Sequence, residues 1–120
     1  MTETKWTKGP WERMNEGDIF GPLGGDSGDG VFADESDRWQ VAVVDRCLAF
    51  VDGELVELGK DCMRANAHLI AAAPDLYNAL LSAEQSIAIF MGVYDHRNES
   101  GAGYILTEAR AALAKARGES

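Results

Sequence analysis

Basic residues are scarce in this chain. Lys and Arg number 11 against 20 Asp and Glu, a formal net charge of −9 and a sequence pI near 4.5. Nonspecific nucleic-acid binding needs a basic face that releases counterions, so that class is excluded as an expectation. Cysteine is also scarce, with Cys47 and Cys62 the two in 120 residues. In the cytosolic setting expected here they read as free thiols. They are too few for a zinc site, and His68 and His96 stand at no ligand spacing from them, so no metal is expected. No apolar run approaches the ~20 residues of a membrane span. The segment MTETKWTKGPWE carries no apolar h-region, which speaks against a secretory signal and for the cytoplasm. Catalytic signatures are missing too: no HExxH, GxSxG, P-loop or CxxC occurs.

What is present is an ordinary globular composition, 46% hydrophobic and 26% charged. The length suits one domain over residues 1–120, with a β-rich half at 1–58 and a helical half at 59–118. Trp11 to Met14 alternates as a short strand, Asn15 to Asp18 reads as a turn, and Ile19-Phe20 begins a second strand. The Gly-rich run from Gly21 to Gly30 reads as a flexible loop, and Val31 to Ala33 as a further short strand. Trp39 to Val44 is apolar on both faces, which predicts a central strand. Asp52-Gly53 between two apolar runs predicts a hairpin with a type I′ turn, Phe50 opposite Leu55 and Ala49 opposite Val56.

From Gly59 the hydrophobic period lengthens to that of helices. Asp61 is the expected N-cap of a first helix ending near Ala73, with Cys62, Ala65, Leu69 and Ala73 on its apolar face. Pro74 suits the first turn of a second helix, whose face would hold Leu76, Tyr77, Leu80, Leu81, Ile87, Met91 and Tyr94. A polar loop at 95–103 precedes a third helix, with Ile105, Ala109, Ala112, Leu113 and Ala116 on one face. The expected fold is α+β: an N-terminal antiparallel sheet packed against two to three C-terminal helices. The alanine-rich faces permit close helix approach, so a homo-oligomer, a dimer first, is expected from the helical half.

Candidate binding residues are arginines beside aromatics. Arg64 and His68 share a helix face, Asn66 adjoins it, and Arg13 and Arg46 lie near Trp11 and Trp39 in sequence. A fork of donors beside a ring is the local chemistry of a nucleotide pocket. The bland reading is core tryptophans, an exposed arginine and a packing motif. Asp34, Glu35 and Asp37 read as a solvated acidic turn.

Asn66, His68 and the run Leu69-Ile70-Ala71-Ala72-Ala73-Pro74-Asp75-Leu76, with Gly9-Pro10-Trp11 and the tail ARAALAKARGE, resemble a group of small bacteriophage and prophage proteins. The resemblance does not extend over the acidic segment 16–37. It implies a phage accessory protein, not an enzyme and without a cofactor, acting against host defence in the host cytoplasm. Two roles follow from it. One is a sponge for a nucleotide-derived immune signal, with Arg13, Arg46, Arg64, Asn66, His68, Trp11 and Trp39 as ligand-binding residues. The other is an acidic inhibitor that docks on a basic surface of a host defence nuclease or effector complex. A phosphodiesterase using Asp and His pairs would need a motif that is missing.

Overall fold

The computed structural model describes residues 5–46, 48–57, 59–94 and 102–119. Cys47, Leu58, His96 and most of the expected 95–103 loop lie outside the described residues. Among the described residues five strands precede three helices: β1 (Glu12–Met14), β2 (Asp18–Phe20), β3 (Gln40–Val43), β4 (Leu48–Val51), β5 (Glu54–Glu57), α1 (Lys60–Ala71), α2 (Ala73–Tyr94) and α3 (Ala102–Ala116). This is the α+β order expected. The chain divides into two compact units, Met1–Pro74 and Asp75–Ser120.

In the first unit the strands form two antiparallel sheets, β1-β2-β3 and β4-β5. The centre of the larger sheet is β2, not the Trp39–Val44 segment. Ile19 on β2 pairs Arg13 on one side and Ala42 on the other, and it is 0% exposed. β3 is an edge strand, with Val43 65% exposed. Apolar residues on both faces therefore did not mean burial on both faces here. A bulge shifts the β2–β3 register between Ile19 and Phe20.

α1 packs on β1 and β2, burying Met63 and Ala67. The inward face is thus displaced by one position from the expected Cys62, Ala65, Leu69 set, and Leu69 is exposed. Its N-cap is Gly59 at φ 90, with no side-chain cap, so Asp61 lies inside the first turn instead. There it still opposes the helix dipole favourably. The break between α1 and α2 falls at Ala72, and Pro74 sits in the first turn of α2, where its missing N–H costs no helical bond.

The segment 21–38 is less loose than its glycines suggest. Gly21 N donates to Trp39 O, Gly24 N to Asp37 O, Ser27 N to Val31 O and Ala33 N to Gly25 O. The Asp26 carboxylate accepts from the Gly28 and Gly30 amides, both at 2.9 Å. Val31 to Ala33 is no strand; a single bridge joins Asp26 and Phe32.

In the second unit α3 buries Leu106, Ala109 and Leu113. That spacing keeps Ala109 and Leu113 of the expected face but leaves Ile105, Ala112 and Ala116 exposed. On α2, Tyr77, Leu80, Leu81, Ile87 and Met91 are half-buried, while Leu76 is exposed. Arg110 Nε donates to Glu84 Oε1 at 2.8 Å and Arg117 Nη1 to Tyr77 Oη at 3.0 Å, which ties α3 to α2 along its length.

Candidate functional site

The candidate cations fall into separate places. Arg13, on β1, donates from Nη1 to Asn15 O at 2.7 Å, within the β1–β2 turn. Arg64, on α1, reaches the same turn from 48 residues away and donates from Nη2 to Glu16 Oε1 at 2.9 Å. Lys60 Nζ stands 3.5 Å from Glu16 Oε2. Arg64 Nη1 also meets Asp61 Oδ1 at 3.4 Å. Three cations therefore reach one turn: Arg13 holds its backbone carbonyls, and Lys60 and Arg64 hold its Glu16 carboxylate. The hydrogen bond from Arg64 holds Glu16 below its ordinary carboxyl value, with the Lys60 charge adding to it against a smaller cost of burial. The same bond raises Arg64. Among the described residues, Arg13 Nε is buried without a hydrogen-bond partner.

Arg46 is elsewhere, beside β4, ion-paired through Nη1 to Glu57 of β5. His68 and Asn66 lie exposed on α1, and Asn66 Nδ2 approaches Cys62 Sγ at 3.9 Å one turn back. Cys62 is a free thiol.

The tryptophans Trp11 and Trp39 are both half-buried and anchored by their ring nitrogens. Trp11 Nε1 donates to Thr7 O and Trp39 Nε1 to Gly25 O, each at 2.9 Å. Each lines an open groove. The first, of about 420 Å³, is formed by Pro10, Trp11, Glu12, Pro22, Leu23 and Arg38. The second, of about 440 Å³, is formed by Phe32, Ala33, Asp34, Asp37, Arg38 and Trp39. The arginine common to both is Arg38, and its Nη1 donates to Glu12 Oε2 at 3.0 Å. Arg38, which also flanks these aromatics in sequence, is not among the candidate residues named from the sequence. Nor are Glu16 and Lys60, which no local pattern marks, because their partners are long-range.

The motifs that carried the resemblance meet in space. A Cβ on Gly9 would lie 2.8 Å from Pro74 Cβ, so the glycine before Pro10-Trp11 sits directly against the proline of the helical motif. Pro74 and Ala67 are buried. These motif residues hold α1, the α1–α2 junction and the N-terminal segment together, which is a packing role.

No helix among the described residues is long and apolar enough to cross a membrane. No curated protein and no solved structure matches the chain. A family model described as Salmonella phage P22 protein Y8K6 matches it over residues 1–120, the full span that carries both motifs, and the chain belongs to that phage protein family.

Proposed function

We propose that this phage protein is a non-enzymatic accessory protein that docks its acidic surface on a basic protein of the host, with a defence nuclease or effector complex as the partner class. One observation carries the reading. The arginines best suited to a phosphate are already engaged: Arg64 by Glu16 and Asp61, Arg46 by Glu57, Arg38 by Glu12, and Arg13 by turn carbonyls. Intramolecular pairing of the cations leaves the charge of −9 on the surface uncompensated. A surface of one sign steers association with a partner of the other, and does so less as salt rises. The test is capture from host lysate on the tagged protein with elution by a salt gradient. The expected result is a basic host protein released by moderate salt. Capture of nothing basic, or of a partner insensitive to salt, refutes the reading.

A specific observation also favours the sponge as second reading. Arg13, Lys60 and Arg64 do reach one turn, where Lys60 and Arg64 meet a single half-exposed carboxylate and Arg13 holds the turn's carbonyls. An anionic ligand would have to displace Glu16 there. Calorimetry against cyclic dinucleotides and ADP-ribose derivatives separates the two readings. Binding that Arg64→Ala weakens about tenfold, the scale of one charge-assisted hydrogen bond, selects the sponge. An absence of heat with every member rejects it.

A further inference from the structure

The β4–β5 hairpin shows the least burial of any strand pair. Every β5 residue is exposed, and on β4 only Ala49 is half-buried. Phe50 is 77% exposed, Leu55 59% and Leu48 56%. Leu48 and Phe50 alternate onto one face of β4, and Leu55 stands directly opposite Phe50. A two-stranded hairpin with such a stripe in water is marginal unless another strand or layer covers it. We infer that a second copy of this chain covers it, by antiparallel pairing of β4 with β4 about a two-fold axis through Ala49.

Backbone geometry selects the edge and the register. Val51 and Glu54 flank the two-residue turn Asp52-Gly53, whose φ values are 52 and 82. The pair that closes a turn of this kind exchanges both of its hydrogen bonds, and the pairing type alternates from there. The N–H and C=O groups of Val51 and Ala49 therefore point toward β5. Those of Leu48 and Phe50 point outward, to the free edge. A two-fold axis at Ala49 sets Leu48 opposite Phe50 of the second copy, and both residues have their outward groups free to pair. A register shifted by one residue would match an outward group with an inward one. A shift by two would set Leu48 against the carboxylate of Asp52 in one direction, and in the other would carry Phe50 past the end of the partner strand at Leu48.

Charge then agrees with the backbone. The Ala49-centred register opposes no like charges and sets no carboxylate against Leu48 or Phe50, since β4 itself carries none. The free edge of β5 is different. Its outward residues are Leu55 and Glu57, so the registers centred on Val56 and Glu57 oppose leucine to carboxylate or carboxylate to carboxylate, the usual protection of an edge, and the one centred on Leu55 carries Glu57 past the partner strand into its turn. β4 has no charged residue. Pairing through it joins Leu48, Phe50 and Leu55 to their copies in one continuous apolar stripe on a four-stranded sheet.

The inference is independent of which partner the acidic surface takes. Its test is mass by light scattering over a micromolar-to-millimolar dilution series, with two variants. Phe50→Lys should raise the dimer dissociation constant by about tenfold or more, with the circular dichroism and melting curve kept, since the side chain has few neighbours to lose. Ala49→Cys, in a chain with Cys47→Ser and Cys62→Ser, should form an intermolecular disulfide under mild oxidation. Residues facing each other across the axis in a non-hydrogen-bonded pair have Cα atoms about 4.5 Å apart, inside the disulfide range of about 4.4–6.8 Å. If Phe50→Lys fails to fold, the cross-link decides alone. A monomer at every concentration overturns the inference. So does a dimer that Phe50→Lys leaves unchanged, or one that Ala49→Cys cannot cross-link.

Discussion

Gly17→Ala is the sharpest test of how the larger sheet is closed. Gly17 is buried in the β1–β2 turn, and its carbonyl accepts from Val44 N at 2.7 Å. A Cβ at this position would lie 2.1 Å from Val44 O and 3.1 Å from Val44 C. The obstacle is backbone, so no rotamer change relieves it. Ordinary carbon–oxygen contacts begin near about 3.3 Å, so the end of β3 must withdraw by roughly an ångström. That movement stretches the Val44–Gly17 bond beyond hydrogen-bonding length. Overpacking costs about 1–3 kcal/mol and the lost bond about 0.5–1.5 kcal/mol. The alanine returns about 0.4–1 kcal/mol by restricting the unfolded chain. The net is a loss of about 0.5–4 kcal/mol, centred near 2, against a total of about 5–15 kcal/mol. Urea unfolding followed by tryptophan fluorescence reads it cleanly, because Trp6, Trp11 and Trp39 all lie in the first unit. Gly30→Ala is the control: its φ of +85 brings strain, but a Cβ there meets nothing within 4 Å. A Gly17→Ala loss below about 0.5 kcal/mol, the scatter of ordinary surface changes, refutes the geometry.

Ile19→Ala empties the one fully buried large side chain among the described residues and should cost about 2–5 kcal/mol, again read by urea unfolding; a loss no larger than that of an exposed Leu69→Ala would place the core elsewhere. Ala67→Leu forces a larger side chain between α1 and the sheet, with an expected cost of about 1–3 kcal/mol, whereas the neighbouring exposed Asn66→Leu should leave the urea midpoint close to the wild-type value. Glu16 has a folded pKa below its unfolded value near 4.5, so its contribution is fully present above that pH and is lost as pH falls through the depressed folded value. Thermal melts of Glu16→Gln should accordingly show a flatter acid limb than wild type, with the two curves converging at low pH; parallel curves would mean that the Arg64–Glu16 bond does not persist in solution.

The fold was legible where the signal is local. Asp52-Gly53 between apolar runs defined the hairpin down to the Phe50–Leu55 and Ala49–Val56 pairs, because a two-residue turn fixes the register on both sides of it. Pro74 marked the start of α2 because within a helix a proline is tolerated in the first turn and disrupts the interior. The switch of hydrophobic period separated strands from helices for the same reason. Which strand is central was not local information. β2 is three residues long and has no conspicuous pattern, yet it takes the middle of the sheet because β1 and β3 can both reach it. The helix faces were displaced for a related reason: small and long apolar residues fit the periodicity of α1 and α3 in more than one phase, and packing chose Met63 with Ala67 and Leu106 with Leu113. The candidate site shows the same division. Residue chemistry singled out Arg13, Arg46 and Arg64 as cations of one binding site. That Glu16 and Lys60 join Arg13 and Arg64 at one turn, and that Arg46 does not, was decided by tertiary structure, since ion pairs between residues 48 positions apart exist only after the chain has closed on itself.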